Sequence, residues 1–161
     1  MANTPVIGDA VVDFRLPGGH LGDDDTFHRG DYSLSEHRGS PLVLAFYPGD
    51  GTPVCTAQLC SYSDGLEQLR TAGATVWGIS PQGLDSHEAF ARARSLRMPL
   101  LSDHGRSVAK SFGITAPLIG LRRSVFIVDR QGRLHWKHVT AVGATYPPAA
   151  TLAERLATLT G

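Results

Sequence analysis

Apolar positions follow two rhythms along this chain, short unbroken runs and longer stretches spaced by three and four residues. Leu42-Val43-Leu44-Ala45-Phe46-Tyr47 is an unbroken run of strand length that stops at Pro48-Gly49-Asp50-Gly51. Such a run, bounded by turn formers, predicts a strand buried on both faces. Behind it, Leu59, Tyr62, Leu66 and Leu69 recur at spacings of three, four and three, and no proline interrupts the stretch from Pro53 to Arg70. That spacing predicts an amphipathic helix. Thr52 followed by Pro53 supplies a cap and a first-turn proline. Thr75 to Ile79 repeats the strand pattern, and Ser86 opens a second helix with His87-Glu88-Ala89-Phe90 behind it.

Further along, Leu100-Leu101 predicts a short extended piece and Arg106 to Phe112 a short helix stopped by Gly113. Ser124 to Val128 is a third strong strand. Asp129-Arg130-Gln131-Gly132 forms a turn, and Arg133 to Val139 alternates as a hairpin partner does. After Pro147-Pro148, Leu152, Leu156 and Leu159 mark a closing helix over Ala149 to Leu159. The first forty residues differ. A short alternation at Val12, Phe14 and Leu16 is followed by Gly18-Gly19, Gly22, Asp23-Asp24-Asp25 and Gly30-Asp31, which predicts a strand and then a surface loop from Gly18 to Asp31. That loop lacks the ordered ligand spacing of a calcium site. Two strand–helix units, a hairpin and a closing helix predict an α/β sandwich with a mixed central sheet flanked by helices, preceded by an N-terminal strand and loop extension.

Length and composition narrow the function classes. With 161 residues, no internal repeat and no linker, residues 1–161 are expected to form a single domain. Hydrophobic residues at 42% and charged residues at 19% belong to a folding chain rather than a disordered one. Lys plus Arg and Asp plus Glu are both 15, so no excess charge draws the protein to nucleic acid or an anionic membrane. No apolar run approaches the roughly 20 residues of a membrane helix. The opening MANTPVIGDA has no basic start followed by an apolar stretch, and the expected location is the cytoplasm.

The 2 cysteines are too few for a secreted disulfide scaffold, so they are either inert core thiols or the chemistry itself. Their surroundings bear on the choice. In Pro48-Gly49-Asp50-Gly51-Thr52-Pro53-Val54-Cys55 a buried strand ends, a tight turn follows, and a cysteine arrives in the first turn of a helix. The unpaired N–H groups and positive end of a helix favour a thiolate there. Thr52 places a hydroxyl toward the same pocket, and prolines at 48 and 53 stiffen the turn and remove competing donors.

Pro48, Thr52 and Cys55 together are similar to the active-site signature of the peroxiredoxins, Pro-x-x-x-Thr-x-x-Cys. Phe46-Tyr47-Pro48, Thr56, Gly78-Ile79-Ser80-Pro81, Ser86-His87, Phe90, Pro99-Leu100-Leu101-Ser102-Asp103 and Val108-Ala109-Lys110 resemble the group named for bacterioferritin comigratory protein, the peroxiredoxin Q type. The similarity runs over residues 34 to 139. It implies a thioredoxin-like fold and a hydroperoxide reductase in which the Cys55 thiolate takes one oxygen and becomes a sulfenic acid. It also implies an arginine that holds thiolate and peroxide, at the matching position Arg123. Strand alternation sends Arg122 to the opposite, solvated face.

Cys60, five residues after Cys55, resembles the resolving cysteine of the subgroup that keeps it in the same helix. An intact helix would hold the two Cα atoms ~8.5 Å apart, whereas a disulfide seldom spans more than about 7 Å. Forming a Cys55–Cys60 bond therefore requires the helix start to unwind. Three departures from the family pattern are Gln58, where many relatives have Glu, Val54, where Gly is frequent, and a longer loop before Tyr32.

Other features carry less. His135 and His138 fall on opposite faces of a strand, which argues against a shared metal. Gly49 and Gly51 lack the Lys-Ser/Thr of a phosphate loop. Trp77 and Trp136 lie in strands as core or sheet-face residues.

The reading is a peroxidase acting on hydrogen peroxide and organic hydroperoxides with no metal, flavin or haem cofactor. By resemblance, reduced thioredoxin is the first expected reductant, with a glutaredoxin or other dithiol behind it, and the state is a monomer with a dimer as the alternative. A peroxide sensor that passes oxidation to a partner would use the same thiols. A thioredoxin-like disulfide oxidoreductase would use Cys-x-x-Cys, whereas four residues separate these cysteines. A structural domain with incidental thiols predicts that neither reacts quickly.

Overall fold

The structure, a computed structural model, describes residues 4–116, 120–140 and 145–159. In chain order its elements are β1 (Arg15–Leu21), β2 (Phe27–Ser33), β3 (Leu42–Phe46), α1 (Pro53–Asp64), α2 (Leu66–Thr71), β4 (Thr75–Ser80), α3 (Leu84–Arg94), β5 (Leu100–Ser102), α4 (Ser107–Ser111), β6 (Thr115–Ala116), β7 (Gly120–Leu121), β8 (Ser124–Val128), β9 (Leu134–Val139) and α5 (Ala149–Ala157). Seven strands form one sheet in the order β2-β1-β5-β4-β3-β8-β9, and β6 and β7 form a separate two-stranded ribbon. The sheet is mixed, with β3 parallel to β4 and antiparallel to β8.

The unbroken apolar runs become the middle of this sheet because both of its faces are covered. Along β3, Val43 and Ala45 enter one core while Leu42, Leu44 and Phe46 enter the other. In β8, Val125 and Ile127 face the first core and Phe126 and Val128 the second. The period of two along a strand divides each run between the faces. Helices α1, α2, α3 and α5 close the first core through Leu59, Tyr62, Leu69, Phe90, Leu152 and Leu156. Helix α4 closes the second through Val108 and Ala109.

Three local expectations are corrected. Gly18 to Asp31 is not a loop, since β1 and β2 pair antiparallel through it from Arg15↔Ser33 to Leu21↔Phe27. Glycine suits that hairpin's close approach, since a Cβ on Gly19 would meet the Phe27 ring. The alternation at Val12 is likewise not a strand, and Val12 is 63% exposed. The helix from Pro53 to Arg70 divides into α1 and α2 at Gly65, a residue of low helix propensity. The β6–β7 ribbon, with Thr115 opposite Leu121, has no signal in the apolar pattern because its strands are two residues long.

Candidate active site

Strand β3 ends beside the start of β8 inside the sheet, Phe46 being the register partner of Ser124. The chain leaving β3 turns through Pro48 to Thr52 and enters α1, and the residue preceding Ser124 is Arg123. This register brings the two segments together. Arg123 Nη2 donates a hydrogen bond to Cys55 Sγ at 3.1 Å, and Arg123 Nη1 donates to Gln58 Oε1. Cys55 and Gln58 are fully buried and Arg123 is 3% exposed. The Arg123 carbonyl is fixed by Thr140, whose N–H and hydroxyl donate to it at 3.1 and 2.8 Å. Arg122 is exposed.

The turn needs Gly51, whose φ of +77° lies in the left-handed region. Thr52 does not cap α1 with its side chain. Its hydroxyl donates instead to the Gly49 carbonyl at 3.1 Å, across the turn. The first-turn amides of α1 are thus not taken up by Thr52, which leaves the positive helix end at Cys55 available to an anion. The Pro48 carbonyl accepts from Gln82 Nε2 at 3.1 Å. Cys60 lies on the same intact helix, half-buried against the first core, and both thiols are free.

A second set of groups holds the turn from behind. Tyr47 Oη donates to Asp50 Oδ1 at 2.7 Å, and Ser86 Oγ and His87 Nδ1 lie 2.7 Å from Asp50 Oδ2. His87 Nε2 lies 3.0 Å from the Leu101 carbonyl. Gln82 Oε1 accepts from the Asp50 N–H at 3.1 Å and from Ser80 Oγ at 2.6 Å. Burial pushes the Asp50 carboxyl up, but His87, Tyr47 and Ser86 outweigh it and hold Asp50 below its ordinary value. Burial and the Asp50 charge push the Tyr47 phenol well up, so Tyr47 keeps its proton and donates.

Sequence reasoning assigned no role to Asp50, Gln82 or Tyr62. Ser86 and His87 entered as a helix start and as part of the family motif, without a role at the site. An Asp two residues past a strand-ending proline was the available signal. His135 lies with Nε2 at 3.0 Å from the Arg155 carbonyl, away from His138, which stacks with Trp136.

Chemically, a thiol at a helix start with a guanidinium nitrogen on its sulfur is an arrangement for a thiolate nucleophile. A guanidinium is a planar donor fork of the kind that suits paired oxygens.

Comparison with known proteins gives a consistent answer. The AhpC/TSA family pattern matches residues 7–137. A chloroplastic peroxiredoxin Q of Sedum lineare is 43% identical over 102 residues, 62% of this chain and 55% of that protein. The chain spans about half the length of the curated relatives it matches. The peroxidoxin BcpB structure of Mycobacterium tuberculosis superposes with TM-score 0.77 at 30% identity, covering 96% of each chain. The Mycobacterium tuberculosis AhpC structure, at 22% identity, shares the fold with TM-score 0.83 over 96% of this chain and 92% of that one. The resemblance to the peroxiredoxin Q type is borne out, and so is the thioredoxin-like fold. The cytoplasmic expectation is corrected, because the curated relatives are named chloroplastic. The charge balance and apolar pattern of a folded domain serve equally in either compartment and do not discriminate between them.

Proposed function

Because the chain belongs to the AhpC/TSA family, we propose that it is a thiol-dependent peroxidase with Cys55 as nucleophile, Cys60 as resolving thiol, and Arg123, Thr52 and Pro48 completing the site. The observation that carries this reading is the 3.1 Å hydrogen bond from Arg123 Nη2 to the buried Cys55 Sγ at the start of α1.

In the first step the Cys55 thiolate attacks one oxygen of a hydroperoxide. The O–O bond breaks, sulfur is oxidised to the sulfenic acid, and the other oxygen leaves as alcohol or water after taking a proton. Arg123 holds the sulfur and stabilises charge on the oxygens. The Thr52 hydroxyl donates its hydrogen bond to the Gly49 carbonyl, so toward a protonated peroxide oxygen it acts as an acceptor. In the second step the Cys60 thiolate attacks the sulfenic sulfur, the S–O bond breaks, the oxygen leaves as water after taking a proton, and a Cys55–Cys60 disulfide forms. In the third an external dithiol of the thioredoxin type reduces that disulfide and becomes oxidised itself. Electrons pass from sulfur to oxygen in the first step and from sulfur to sulfur in the other two. One domain acting as a monomer, with hydrogen peroxide and organic hydroperoxides as substrates, belongs to the same reading.

Steady-state consumption of peroxide with purified thioredoxin and glutaredoxin systems tests the proposal, with the Cys55→Ser variant as control. Catalytic turnover that vanishes in Cys55→Ser supports it, since a hydroxyl does not replace a thiolate at neutral pH. One stoichiometric oxidation without turnover rejects it.

A further inference from the structure

Helix α1 buries one stripe, Cys55, Gln58, Leu59 and Tyr62. Two members of that stripe are polar and both are connected. Tyr62 Oη donates to the Pro147 carbonyl at 2.6 Å, in the segment that leads into α5. Gln58 Nε2 makes a longer contact of 3.4 Å to Tyr62 Oη, while Gln58 Oε1 accepts from Arg123. Tyr62 and Gln58 are fully buried. Burial pushes the Tyr62 phenol up, so it keeps its proton.

The direction of these bonds is set by chemistry. A carbonyl such as Pro147 O only accepts, so the Tyr62 proton lies on that bond and Tyr62 Oη receives from Gln58. A guanidinium only donates, so Gln58 must turn its oxygen to Arg123 and its NH2 to Tyr62. The amide is the one side chain of its size that satisfies both neighbours. A carboxylate at position 58 would satisfy Arg123 but present its second oxygen to Tyr62. It would then compete with Pro147 for the phenol proton, and a charged acceptor is the stronger one.

We propose that Tyr62 is a positioning residue that latches α1 to the segment before α5, and that Gln58 keeps the Tyr62 hydroxyl aimed at Pro147. The inference rests on the reading of Cys55 and Cys60 as a pair that bonds after α1 unwinds. Opening residues 54 to 61 withdraws Gln58 from both Arg123 and Tyr62. The Gln58–Tyr62–Pro147 connection therefore opposes the motion that brings Cys60 to Cys55. It lengthens the life of the sulfenic acid and sets how much of it is overoxidised before the disulfide forms.

Hydrogen exchange on the reduced protein tests the latch without requiring turnover. Tyr62→Phe keeps the ring and removes the donor, and amides of residues 54 to 61 should exchange about tenfold faster, the effect expected when a buried acceptor loses its partner. Gln58→Glu should act in the same direction, and should add little once Tyr62 is already Phe, because the two changes break one connection. After a peroxide pulse, both variants should yield a larger ratio of disulfide to sulfinic acid at Cys55 by mass spectrometry, an outcome that a purely structural tyrosine does not produce. Unchanged exchange at 54 to 61 in both variants overturns the proposal, as does acceleration spread equally into β3 and β8. A Cys55 disulfide to a second chain would instead sink the Cys60 assignment while leaving the exchange result on the reduced protein intact.

Discussion

Arg123 stands 68 residues after Cys55, and its Nη2 donates to Cys55 Sγ at 3.1 Å with both side chains buried. The pairing of β3 with β8 produces this meeting. Phe46 opposite Ser124 aligns the end of one strand with the start of the other, and the segments just beyond each carry the thiol and the guanidinium. The neighbouring Arg122 sits on the chain's other side and is exposed.

Arg123→Ala should slow oxidation of Cys55 by about 100- to 1000-fold, the range seen when one preorganised donor is removed from a reacting centre. Arg122→Ala should leave the rate nearly unchanged. Rapid mixing of reduced protein with hydrogen peroxide measures both, and equal losses would reject the assignment.

Asp50 gives a pH-dependent prediction. Its folded-state value lies below the ordinary 3.8, so the unfolded chain takes up a proton first as pH falls. The stability it contributes is complete above 3.8 and is lost as the pH drops through the lower folded value. At neutral pH, Asp50→Asn should cost roughly 3 kcal/mol, the scale of removing one partner from a buried pair. Thermal melts of both proteins across this range should show the gap closing only on the acid side, and a gap independent of pH would contradict the network.

Gly51→Ala should destabilise the protein by about 1–2 kcal/mol, because an alanine Cβ is strained in the left-handed region. Open space surrounds the position, so the penalty is conformational rather than steric contact with neighbours. Gly51→Asn should cost less, since asparagine visits that region more readily. Denaturant unfolding of the two variants checks the order.

Oxidation should loosen α1. The reduced structure keeps Cys55 and Cys60 on one intact helix, where their Cα atoms are ~8.5 Å apart, beyond the about 7 Å that a disulfide spans. Amides of residues 54 to 61 should exchange faster after peroxide treatment, and those of β3 and β8 should not change. An oxidised monomer with the intramolecular disulfide and a fully protected α1 would refute the geometry.

Strands β3, β4 and β8 were legible in the chain itself, because a run such as Leu42 to Tyr47 has enough apolar surface to require cover on both faces wherever it is placed. The position of Cys55 was legible for a similar reason. Strand end, turn, Pro53 and thiol are neighbours in sequence, so their relation follows from local backbone preferences. Glycine and aspartate are ambiguous by contrast. Gly18 and Gly19 read as a turn until Phe27 and Leu101 pack against them, and only that close approach makes β1 and β2 strands. The family resemblance pointed to Arg123, but its distance from sulfur depended on the register of β3 against β8. Gln58 and Tyr62 share a helix face by their spacing of four, but the joining of Asp50 to His87 and of Tyr62 to Pro147 had no signal in spacing. Those contacts span 37 and 85 residues for His87 and Pro147. Local propensity determined the central strands, the helices and the place of Cys55 at the start of α1. Long-range packing decided which donors and acceptors surround it, because a buried polar side chain takes whatever partner the folded chain brings within hydrogen-bond reach.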